Sequence, residues 1–99
     1  MDRVNFIESV SGIKYPRMIV DFFDHFIALK QIVEDSGKIN VINHDNTSIT
    51  FSIIFNSPNA KDLALYTINS LGGNIVIYGR PILIHVEVLT DSEIKINLQ

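Results

Sequence analysis

The chain alternates between two hydrophobic periods, and the order in which they follow one another restricts its fold more than any single residue does. From Pro16 to Asp35 the spacing is helical. Arg17, Asp21, Asp24, Ala28, Gln31 and Asp35 fall on one polar stripe at steps of three and four, with Ile19, Phe22, Phe23, Phe26, Leu29 and Val33 opposite. Pro16 suits the first turn, where its missing N–H costs nothing, and Gly37 is a natural stop. The period then drops to two over Lys38 to Asn43 and Ser48 to Asn56, joined by His44-Asp45-Asn46-Thr47. Asp and Asn favour tight turns and the flanking runs are β-branched, which predicts a hairpin.

A second helical run opens at Ser57-Pro58, a capping residue followed by proline, and ends at Gly72-Gly73. Its apolar face is Ala60, Leu63, Ala64, Thr67, Ile68 and Leu71. Asn74 to Ile77 is extended, Tyr78-Gly79-Arg80-Pro81 turns, and Ile82 to Leu89 reads as a further strand. With Val4 to Val10 as a first strand, the order is β-α-β-β-α-β. That order predicts an α+β, ferredoxin-like plan: a four-stranded antiparallel sheet with two helices on one face. The expectation is one domain over residues 1–90, with residues 91–99 as a C-terminal extension, either an edge strand or a linker.

Composition narrows the function classes. The 99 residues hold no cysteine, which excludes a disulfide scaffold and a thiolate zinc site. Apolar residues make up 46% and charged ones only 19%, against about 25% charged in ordinary domains, so disorder is excluded. A net charge of −3 argues against binding nucleic acid by bulk electrostatics. No apolar run is long enough for a membrane span, and Asp2, Arg3, Asn5 and Glu8 argue against a signal peptide. A nuclear or cytoplasmic protein is expected.

Several stretches resemble the RNA recognition motif family. "SPNAKDLALYTINSLGG" looks like the family's second helix and its closing "ALNG", and "IYGRPILIHVEV" looks like its "xxGRPLxVxxA" run into the fourth strand. "LKQIVEDSGKI" is similar to "LxxLFxxFGxI", with Gly37 at the family's glycine. The resemblance implies a sheet whose open face takes bases on outward aromatics of the first and third strands. Here those positions hold Asn5, Thr50 and Ser52, while Ile49, Phe51, Ile53 and Phe55 point inward. Stacking is worth about 1–3 kcal/mol per base, so the expected RNA affinity is weak. The first helix is also longer than the family's.

The expected open face therefore carries Asn5, Ile7, Ile42, Thr50, Ser52, Ile54, Leu83 and His85, uncharged at its centre and moderately apolar. On the first helix, apolar residues spread beyond one stripe, through Val20 and Ile27 on one side of Phe23 and Met18 and Ile32 on the other. That surplus is a candidate interface for a protein partner or a second copy. Arg80 lies in a loop that resembles the ligand-binding loop of some protein-binding relatives. His25, His44 and His85 show no ligand spacing, and the glycines follow a helix instead of opening one, so no metal, cofactor or phosphate site is read. The expected function is a non-enzymatic protein-interaction module in an RNA-processing or RNA-regulating assembly. Weak single-stranded RNA binding and a small ferredoxin-like ligand-binding domain are the alternatives.

Overall fold

The computed structural model describes residues 16–99. The expected strand from Val4 to Val10 lies outside them. The helical run is two helices, α1 (Arg17–His25) and α2 (Ile27–Ser36), where the stripe predicted one. Phe26 breaks it, with φ −128° and ψ 71°. His25, Phe26 and Ile27 stand in succession, and aromatic and β-branched residues all lose side-chain freedom against the preceding turn. The backbone tightens there: the Phe26 N–H donates to the Phe23 carbonyl at 3.2 Å. Each half then aims its own face at the core, α1 burying Ile19, Val20, Phe22 and Phe23, and α2 burying Leu29, Lys30 and Val33. Lys30 is ion-paired with Glu34, one turn on.

The hairpin forms as predicted, from β1 (Gly37–His44) and β2 (Ile49–Phe55). Asp45 holds its turn, one carboxylate oxygen accepting from the Thr47 N–H at 2.8 Å and the Ser48 N–H at 2.9 Å. Helix α3 (Pro58–Asn69) is capped by Ser57, whose hydroxyl accepts from the Ala60 N–H at 3.2 Å. Only Ala64 and Ile68 of α3 are buried, so its inward stripe is narrow. Leu63, expected in the core, is 55% exposed because it sits one residue, about 100°, off that stripe.

Strands β3 (Asn74–Ile77), β4 (Arg80–Thr90) and β5 (Glu93–Leu98) complete a five-stranded antiparallel sheet in the order β1-β2-β5-β4-β3. The general α+β class holds, with three helices and five strands among the described residues in place of the four-stranded plan. The C-terminal segment is the largest departure. Neither edge strand nor linker, β5 lies at the centre of the sheet, paired with β2 on one side and β4 on the other. Ile94, Ile96 and Leu98 alternate along it and are all 0% exposed, with β2 on one side and β4 on the other.

The core lies between the helices and the inward face of the sheet. Phe22 and Phe23 meet Phe51 with ring centroids 6.3 and 6.1 Å apart. Ile53, Phe55, Ile68, Ile82 and Ile84 are buried with them, as the period of two predicted for the strands.

Candidate functional site

The register fixes which side chains share the outer face. Ile54 sits between Lys38 and Glu93, Ser52 between Asn40 and Lys95, and Thr50 between Asn43 and Asn97. Across β5, Lys95 faces Glu87 and Asn97 faces His85. Lys95 and Glu87 form an ion pair at 3.2 Å. The Asn97 side-chain amide donates to the Thr50 hydroxyl at 2.8 Å and to the Ile49 carbonyl at 3.3 Å. The expectation of an uncharged centre is thus corrected, because insertion of β5 brings Lys95 into the middle rows. Ser52 is 1% exposed, and its hydroxyl has no hydrogen-bond partner.

The apolar residues of this face lie around that polar centre. Ile42, the unpaired residue at the register shift between Val41 and Asn43, is 51% exposed, Ile54 45% and Leu83 51%. His85 is also exposed, and Thr50 half-buried. Asn5 and Ile7, expected on the same face, lie outside the described residues. No phenylalanine, tyrosine or tryptophan occupies an outward position on β1, β2, β4 or β5.

The helix flank is different. Val20 is 3% exposed and Phe23 0%, so both belong to the core instead of a surface. Met18 and Ile32 are partly buried against the core, and only Ile27, at 38%, is exposed.

Arg80 is exposed at the start of β4, after the Tyr78-Gly79 turn. Both turn residues have positive φ, 50° and 77°, as a two-residue turn matching the strand twist requires. Arg80 lines a cleft of about 550 Å³ with Arg17, Met18, Asp21, His44, Asp45 and Tyr78. Its charges are mostly engaged: Arg17 pairs with Asp21 at 3.0 Å. The hydrogen bonds from Thr47 and Ser48 hold the Asp45 carboxyl below its usual pKa. His25 donates its Nδ1–H to the Asp21 carbonyl at 2.9 Å and meets the Tyr78 ring edge-on, centroids 4.8 Å apart. The three histidines stay on separate elements. Among the described residues, no group of His, Cys, Asp and Glu is placed to hold a metal ion, and no helix is long and apolar enough to cross a membrane.

Comparison of the chain with protein-family models, with curated proteins and with solved structures finds no match.

Proposed function

We propose that this chain is a non-enzymatic protein-interaction domain, and that its outer sheet face is the contact surface. One observation carries the reading: Ile42, Ile54 and Leu83 stand exposed around the polar centre of a face that holds no stacking aromatic among the described residues. Exposed aliphatic side chains supply the apolar area that a protein partner would bury. Nucleic acid would need ring platforms and surplus positive charge, and this chain carries −3. The RNA-processing setting rests on the quoted sequence resemblance alone.

The test sets one titration beside one capture experiment. Generic single-stranded RNA should bind more weakly than micromolar at physiological salt, since each missing stacked base forfeits about 1–3 kcal/mol. An Ile42→Lys/Leu83→Lys variant should keep its far-UV circular dichroism and lose the partner that the natural chain retains from its native extract. Tight, sequence-selective RNA binding with chemical-shift changes at Thr50 and Ser52 would refute the reading. So would full retention of the partner by the double variant.

A further inference from the structure

The two edges of the sheet are not alike. Strand β3 lies beside only Arg80–Leu83 of the 11-residue β4. Leu83 exchanges both of its backbone hydrogen bonds with Gln99, each 3.0 Å, so its N–H and C=O point toward β5. By the alternation of an antiparallel ladder, His85 and Glu87 point the same way, and Ile84, Val86 and Val88 point off the other side. The Ile84 N–H is satisfied by the Gly73 carbonyl at 2.8 Å. Among the described residues the ladder stops beyond Gly73. Among the described residues, the N–H and C=O groups of Val86 and Val88 meet no hydrogen-bond partner.

Natural edges are usually guarded by lysine, proline or a bulge. The other edge strand among the described residues, β1, has Lys38 and a register shift between Val41 and Asn43. The stretch from His85 to Leu89 has no lysine and no proline, and its register shift comes only at its end, between Val88 and Thr90. Val88 is 48% exposed and Leu89 41%. This is an open, β-branched, partly apolar edge.

Charge selects among the strands that could add to it. Glu87, Asp91 and Glu93 lie on or beside this end of β4, and the one cation among them, Lys95, is already held by Glu87. A second copy would bring the same acids to face these. An extended segment with lysine or arginine at its flanks would be attracted.

We infer that the free edge of β4 at Val86–Val88 takes an extended segment of another protein by strand addition, the segment carrying β-branched residues with basic residues flanking them. This rests on the protein-interaction reading above and names a partner chemistry for it.

The test uses the full, isotope-labelled chain and a capped synthetic peptide, Lys-Val-Thr-Val-Thr-Val-Lys. A control peptide is N-methylated at alternate amides, so that it cannot complete a ladder. The Val86 and Val88 amides should gain about tenfold hydrogen-exchange protection with the first peptide and none with the control. Binding should weaken several-fold between low and physiological salt. Val88→Pro, which removes an outward-pointing N–H, should abolish the effect. The control peptide keeps the test decisive even where that variant unfolds. Shifts centred on Ile42, Ile54 and Leu83 instead would sink the edge assignment and leave the interaction reading standing. No response on either surface also overturns the edge assignment, and the capture experiment then judges the broader reading. Protection of Val86 and Val88 in the peptide-free chain, with a doubled mass in solution, would make a second copy the occupant and overturn the choice of a foreign basic segment.

Discussion

Ile96→Ala tests the central placement of β5 most directly. Ile96 is 0% exposed, with Phe51 opposite on β2 and Val86 opposite on β4. The substitution removes three carbons, worth about 2.4 kcal/mol at roughly 0.8 per buried carbon. A cavity term adds to that, because strands on both sides hold the walls apart, and the total should be about 3–4 kcal/mol. For a domain of this size each kcal/mol lowers Tm by roughly 4–8 °C, so the shift should exceed about 12 °C. Urea denaturation followed by far-UV circular dichroism measures it, with an unchanged slope expected if only stability is affected. Ending the chain at Asp91 is the stronger form. It removes Ile94, Ile96 and Leu98, each worth about 2–5 kcal/mol, against a total stability of about 5–15. The shortened chain should not fold. A cooperative transition near the natural Tm, or an Ile96→Ala loss under about 1 kcal/mol, would show that the segment is peripheral and refute the argument.

Other perturbations separate distinct mechanisms. Gly79→Ala should destabilise by about 1–2 kcal/mol through backbone conformation alone, since φ is +77° and nothing lies within 4 Å of the added carbon. Gly37→Ala should cost about 1–3 kcal/mol by overpacking, since its Cβ would sit 3.1 Å from the Ile53 methyl and 3.2 Å from the Val33 backbone; chemical denaturation of both variants checks the pair. Asp45 has a folded-state pKa below its unfolded one, so its stabilisation is complete above about pH 4 and drains as pH falls through the lower value. Asp45→Asn should therefore remove that part of the acid dependence, as read by denaturation at stepped pH. Val20→Asp should unfold the chain, since it would bury a carboxylate at a position only 3% exposed, whereas Ile42→Asp should leave the circular dichroism unchanged.

Local chemistry made much of the fold legible. The Asp45 turn, the inward set Ile49, Phe51, Ile53 and Phe55, and the Ser57-Pro58 helix start all depend on residues close in sequence. The helix break at Phe26 was hidden because its residues continue the apolar stripe without glycine or proline. The clue was weak: a run of His25, Phe26 and Ile27, each a mediocre helix former. The position of β5 was hidden for a different reason. Alternation gives a strand and its faces, but its neighbours depend on which sheet edges are open. A usable signal did exist, because an edge strand has little need of Ile94, Ile96 and Leu98 together, and Asp91-Ser92 is short enough to make β5 the hairpin partner of β4.

That placement also decides where binding energy can come from. A sheet without β5 would leave Thr50, Ser52 and His85 to a partner as open polar groups. With β5 in place, Asn97 already bonds Thr50, and Lys95 already bonds Glu87. A partner covering these groups gains little from them and must avoid breaking them, since orphaning a buried polar group costs about 1–3 kcal/mol. The favourable increments lie around the rows, at Ile42, Ile54 and Leu83, and at the backbone groups of Val86 and Val88. Leu83 and Val86 stand on the same strand, so a bound segment entering along the β4 edge would run beside the apolar rim of the face. If both proposals hold, face and edge would act as one surface, the rim supplying apolar area and the edge fixing the direction of the incoming chain.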